Sequence, residues 1–145
     1  MNEAAEMKDP SFSGIQKVGA AIVLDRKVIA LRKTNQPSSE YYMAGGKIED
    51  GETQLQTLKR ELDEELGVAV KEYDYIGTYE DLAVFEGTPI RLHAYYVLVE
   101  GRPKPANEVK EYRWFDSKWK SEGIELSSIL AEQVIPELVA RGYID

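Results

Sequence analysis

From Thr53 to Leu66 the chain carries no Gly or Pro, and Leu55, Leu58, Leu62 and Leu66 recur at the spacing of one helical face. At about 100° per residue the four leucines cover an arc of roughly 80°. Glu61, Glu64 and Glu65 cover roughly 100° of the adjoining face, with Arg60 at its edge. The spacing predicts an amphipathic helix with one leucine face and one acidic face. Before it, residues 17–31 (KVGAAIVLDRKVIAL) form two short β-rich runs around Asp25-Arg26, a hairpin signal. A polar loop over residues 34–40 then leads to a short apolar run, 41–44, that enters a glycine pair. After the helix, residues 69–79, 90–99 and 111–116 have β-type patterns, with loops at 80–89 and 101–105 between them. Residues 128–141 predict a closing helix that Pro136 should kink or split. Strands on both sides of a central helix, and a second helix at the end, suggest helices covering both faces of a mixed sheet. Residues 1–14 are polar and read as a loose lead-in, Met7 being an alternative start, so the expected organisation is one domain over 15–145.

Composition narrows the chemistry. With 145 residues, 43% hydrophobic and 30% charged, the chain has the ordinary globular balance and room for a core. Its net charge of −8 argues against a basic surface for DNA or RNA. The same charge makes it a poor binder of free anionic nucleotides unless cations and a few local Arg or Lys residues bridge the gap. The absence of cysteine excludes disulfides, thiolate zinc sites and a cysteine nucleophile, and the single His93 cannot alone build a histidine metal site. No apolar run approaches the length of a membrane span and the N-terminus is unlike a targeting peptide, so a cytoplasmic protein without membrane attachment is the default.

Glutamates at i, i+3 and i+4 repel one another. A helix keeps such a group most readily where something cationic neutralises it. Mg²⁺ or Mn²⁺ is the natural candidate, because these hard ions prefer oxygen ligands and retain waters beside substrate phosphates. Gly67 suits the left-handed residue after a helix. Ala44-Gly45-Gly46 lets the backbone approach a metal or phosphate closely, and Asp50-Gly51 is a turn signal into the helix.

The stretch GKIEDGETQLQTLKRELDEELGV, residues 46–68, resembles the Nudix box, G-x5-E-x7-R-E-U-x-E-E-x-G-U with U aliphatic, and agrees at all nine specified positions. The resemblance implies a Nudix-type α/β/α sandwich with a mixed β-sheet and the box helix packed on it, similar to the MutT-like branch over roughly residues 15–140. It also implies metal-dependent hydrolysis of the diphosphate linkage in a nucleoside diphosphate derivative. Glu61, Glu64 and Glu65 would then ligate Mg²⁺ or Mn²⁺ with the Gly45 carbonyl. Arg60 would orient a glutamate and Glu52 would support it from behind. The general base is Glu61 in the MutT-like branch and a loop residue in other branches. Glu108, with Glu111 behind it, is the candidate further metal ligand. Arg32 is a candidate phosphate-binding residue, and Tyr41, Tyr79, Phe85 and Trp114 are candidate base-stacking residues, among which Tyr41 and Tyr79 are carried as substrate contacts. His93 reads as structural.

One position departs from the family pattern: Ala44 stands where Pro often precedes the glycine pair. The marks that accompany the box in ADP-ribose and dinucleoside polyphosphate hydrolases are missing, which leaves nucleoside or deoxynucleoside triphosphates as the expected substrates in a house-cleaning role. Another nucleoside diphosphate-linked compound such as NADH, an mRNA 5′ end, or a non-catalytic nucleotide-sensing role are the alternatives. An isopentenyl diphosphate isomerase-like activity would require the cysteine this chain lacks. The partner expected is a small-molecule nucleotide, and a homodimer is the family-level expectation.

Overall fold

The computed structural model describes residues 2–35, 39–82 and 87–145. Strand β1 (Ile15–Leu24) turns into β2 (Lys27–Lys33) at Asp25 and Arg26, both with positive φ, the conformation that a two-residue hairpin requires. Strand β3 (Ala44–Lys47) leads through a loop to helix α1 (Gln54–Leu66). Strands β4 (Ala69–Leu82), β5 (Pro89–Glu100) and β6 (Val109–Phe115) follow. They join one six-stranded mixed sheet in the order β4-β5-β1-β2-β6, with β3 paired to β1. The pairing of β1 with β5 is parallel and the other pairings are antiparallel.

The sheet opens in the middle. The first half of β1 pairs with β3 at 17–20, its last residues pair with β2 at 23–24, and a single bridge, Leu31 to Tyr42, connects β2 to the chain entering β3.

The expected two-faced cover is present. Leu58, Leu62 and Leu66 are fully buried against Ile29, Leu31, Val18, Ala20 and Tyr95 on one face. Each buried leucine contributes about 1.5–3 kcal/mol relative to an exposed one. The C-terminal helix covers the other face with Leu130, Val134, Ile135 and Leu138 against Val28, Ala30, Ala94 and Phe115. That helix is continuous but not uniformly α: residues Leu130–Val134 are π-helical, and α2 (Ile135–Ala140) follows. Pro136, which has no N–H to donate, sits in the first turn of α2, and the widened turn before it removes the need for that bond.

Helix α1 is capped at both ends. Thr53 and Gln56 form a reciprocal capping box, and Gly67 closes the helix at φ 65, with its N–H on the Asp63 carbonyl. Residues 2–14, read from their polarity as a loose lead-in, make specific contacts: Ala4 is buried and the Glu6 carbonyl accepts the Gln54 N–H at 2.7 Å. Lys8 pairs with Asp50, and Asp9 with Arg91. Among the described residues, no helix is long and apolar enough to cross a membrane.

Candidate active site

Glycine at 45 and 46 brings β3 against the acidic face of α1. Gly45 has φ 131, and a Cβ there would lie 2.0 Å from the Val18 carbonyl oxygen of β1. Its N–H donates to Glu65 Oε1 at 2.8 Å. A Cβ on Gly46 would lie 2.5 Å from the Glu61 carboxylate, so the bare glycine is the floor on which that carboxylate rests. The two glycines serve different ends: the first lets strands approach, the second lets a side chain in.

Arg60 organises the other side of the acidic face. Its Nε and Nη2 donate to the two oxygens of Glu52 at 2.8 and 3.0 Å, and its Nη1 donates to Glu61 Oε1 at 2.8 Å. Nη2 also reaches the Lys47 carbonyl at 3.1 Å, which ties the helix to the end of β3. Glu52 further accepts from the Glu49 N–H and the Thr57 hydroxyl. The Arg60 guanidinium lowers the Glu52 pKa to about 2, and Glu52 in turn raises that of Arg60.

Burial pushes the Glu61 pKa up against the lowering effect of Arg60, and it raises Glu65 to about 7 against the hydrogen bond from Gly45. Glu64 is half exposed, 3.5 Å from Arg60. Lys33 at the end of β2 contributes an attractive charge at both Glu61 and Glu65. Two partly or wholly buried carboxylates, whose ionised forms cost desolvation energy, are a donor set that a hard divalent cation fits. Among the described residues, no three Asp, Glu, His or Cys side chains are drawn together as a ready-made cage. Glu61 is turned to Arg60 and Glu65 to Gly45.

The structure thus brings Gly45, Glu52, Arg60, Glu61, Glu64 and Glu65 into one cluster. It places other candidates elsewhere. Arg32 lies opposite Glu111 in the β2–β6 register, in line with Ala30, Arg113, Val28 and Phe115 on the face covered by the C-terminal helix. Its Nε is buried without a hydrogen-bond partner, 3.6 Å from Glu111, and the Tyr41 hydroxyl donates to that same carboxylate. Arg32, Tyr41 and Glu111 therefore form a separate group across the sheet from α1. Glu111, committed there, is not disposed as a ligand beside Glu61. Tyr79 folds back over Gly77 toward the C-terminal helix, where Glu137 and Arg141 influence it. Trp114 packs edge-on to Tyr112 beneath α1, and Phe85 lies outside the described residues. Glu108 is exposed, and it is its backbone carbonyl that is engaged, by the Thr34 N–H at 2.9 Å. His93 is buried and bonded to Thr78.

Two residues near the carboxylates were missed from the sequence. Lys33 was legible: Ile29 and Leu31 point to α1, and period-two alternation puts residue 33, not Arg32, on that face. Asn107 has no sequence signal beyond its tolerance of positive φ; its side chain reaches the Glu64 carbonyl from a loop 43 residues away in sequence.

Known proteins with the same features were found by sequence and by shape. A family model described as NUDIX domain matches residues 15–120. The CTP pyrophosphohydrolase of Escherichia coli (strain K12) is 35% identical over 85 residues, which are 57% of this chain and 62% of that protein. The chain therefore aligns with less than two thirds of that relative's length. The solution structure of the E. coli ORF135 protein is 30% identical and superimposes with a TM-score of 0.69 over 93% of each chain. A NUDIX hydrolase from Nitrosomonas europaea, 20% identical, shares the fold with a TM-score of 0.75, covering 90% of this chain and 92% of its own.

Proposed function

The chain belongs to the Nudix hydrolase family, and on that premise we propose that it hydrolyses nucleoside or deoxynucleoside triphosphates to the monophosphate and pyrophosphate. The observation that carries the reading is the placement of Glu65 and Glu61 of α1 against the Gly45–Gly46 backbone, with Glu64 beside Arg60 and Lys33 on the same face. Nudix hydrolases generally require a divalent metal ion, and Glu61, Glu64, Glu65 and the Gly45 carbonyl would hold it here. When bound, such an ion neutralises charge on phosphoryl oxygens and acidifies a water. The protein's own groups do the rest. Glu61, whose Oε1 is fixed by Arg60, takes the proton from the attacking water. Glu52 holds Arg60 in place. Lys33 supplies a fixed positive charge toward the substrate phosphates.

The choice of triphosphates is supported by the E. coli relative named for CTP hydrolysis, so cytidine triphosphates head the panel to be tested. Purified protein with Mg²⁺ or Mn²⁺ is incubated with NTPs, dNTPs, ADP-ribose, NADH and diadenosine polyphosphates, and the nucleotide products are separated by chromatography and quantified together with released pyrophosphate. Pyrophosphate from at least one triphosphate is expected, with Glu61→Gln slower by at least ~100-fold, the scale of losing a catalytic base. Turnover confined to ADP-ribose, NADH or the diadenosine polyphosphates would replace the substrate class. No turnover of any member would remove the reaction.

A further inference from the structure

The C-terminal end of α1 is closed from outside the helix. The last four carbonyls of a helix have no intrahelical donor, and here they belong to the turn that carries Glu64 and Glu65. The Gly67 N–H reaches the Asp63 carbonyl at 3.0 Å and the Val68 N–H reaches that of Leu62 at 3.5 Å, the usual glycine closure. The next three carbonyls are taken, one after another, by the loop between β5 and β6. Lys104 N–H donates to Leu66 at 2.9 Å and Ala106 N–H to Glu65 at 3.0 Å, while the Asn107 side-chain amide donates to Glu64 at 2.7 Å. One residue further, the Glu108 carbonyl accepts the Thr34 N–H at 2.9 Å, immediately after Lys33. The loop therefore spans from the carboxylate turn of α1 to the end of β2 that faces it.

Only one of these clamps is a side chain, and it acts on Glu64, the most exposed of the three glutamates on the acidic face. Asn107 is itself held at φ 54, a conformation that Asn tolerates better than most residues. We infer that Asn107 is a positioning residue for the reaction: by holding the Glu64 carbonyl it fixes the direction in which the Glu64 side chain leaves the helix, and with it the affinity of the site for a divalent cation. The inference rests on the metal-site reading of Glu64 given above. It predicts an effect confined to Glu64, because the neighbouring carbonyls keep their backbone donors.

Asn107→Gly removes the amide and keeps positive φ accessible; Asn107→Asp keeps the shape and sets an acceptor against the carbonyl. Mn²⁺ binding without substrate, followed by calorimetry or by loss of the free-ion paramagnetic resonance signal, is measured for both variants, for Glu64→Gln and for the double variant Asn107→Gly/Glu64→Gln. Roughly tenfold weaker binding is expected for each Asn107 variant, the scale of losing an outer support of a metal ligand, with melting temperatures close to wild type. In the Glu64→Gln background, Asn107→Gly should add less than about twofold. Wild-type protein that binds no Mn²⁺ removes the metal-site reading and this role with it. Wild-type binding matched by both Asn107 variants removes this role alone. A full tenfold effect that persists in the Glu64→Gln background, or a binding loss that comes with a large drop in melting temperature in both variants, makes Asn107 structural and overturns the inference.

Discussion

Arg60 donates to Glu52 on one side and to Glu61 on the other, so a change at Glu52 must be felt in the orientation of the Glu61 carboxylate. The Glu52 pKa falls to about 2 because the guanidinium holds its charged form. A depressed carboxylate adds stability that is complete above its unfolded pKa, near 4.5, and that is lost as pH falls toward 2. Glu52→Gln should therefore lower stability at neutral pH by about 1–2 kcal/mol, less than the full pKa displacement because the site sits near solvent. Denaturation of both proteins as a function of pH measures it, and the gap should have lost more than half its width by about pH 3. A gap as wide at pH 3 as at pH 7 would count against the pairing as the cause. At this scale the sequence was legible wherever the nine box positions fix a residue by its number. It was less so at Arg32, which the family resemblance suggested because it closes a strand leading toward the site: strand alternation sends its side chain across the sheet to Glu111 and puts Lys33 on the α1 face. Period-two alternation, applied one position later, names the basic residue that lies on the face of α1.

A strand of four residues, β3, does more than its length suggests, because its two glycines meet different neighbours. Alanine at Gly45 would force φ 131 on a residue with a side chain and drive a Cβ to 2.0 Å from a backbone oxygen that cannot move aside. Alanine at Gly46 would meet only the carboxylate end of the Glu61 side chain, at 2.5 Å, which can turn aside by giving up its place beside Arg60. Gly45→Ala should thus cost roughly 3 kcal/mol or more of stability. Gly46→Ala should leave the melting temperature nearly unchanged and reduce kcat about 100-fold, the scale of misplacing a reacting group by an ångström. Thermal melts beside single-substrate kinetics separate the two, and equal destabilisation by both substitutions would refute the distinction. The element pattern itself was largely readable: α1, the hairpin at Asp25-Arg26 and the strands before and after the helix fall where hydrophobic period and turn residues put them. The π-helical turn before Pro136 was not, since a proline signals only that the regular ladder must be interrupted, and packing of Leu130 and Val134 decides how.

Across the whole molecule the cluster of charged groups sits at one end of a division of labour. The carboxylates belong to the later turns of α1, held by β3 and by the loop before β6, whereas the N-terminal segment contacts the helix at its start. Polarity alone made residues 1–14 look like a loose lead-in; what it could not convey is that Ala4 reaches the core beside α1 and that a backbone carbonyl, which every residue carries, serves the Gln54 N–H. A chain beginning at Met7 loses both contacts. Its first helical turn then exchanges a protein acceptor for water and uncovers part of the apolar layer over Tyr95, changes worth about 2 kcal/mol together. In a protein of this size that corresponds to a fall in Tm of roughly 4–10 °C. The glutamates, Arg60 and the glycine pair keep every partner they have, so kcat and metal dependence at 25 °C should match the full chain. The truncated protein is compared with the full chain by thermal melt and by initial rates at saturating metal. An unchanged Tm would mean that the N-terminal segment adds nothing to the fold. A kcat reduced tenfold at full occupancy of the folded state would place that segment in the machinery instead, acting on the carboxylates through the length of α1.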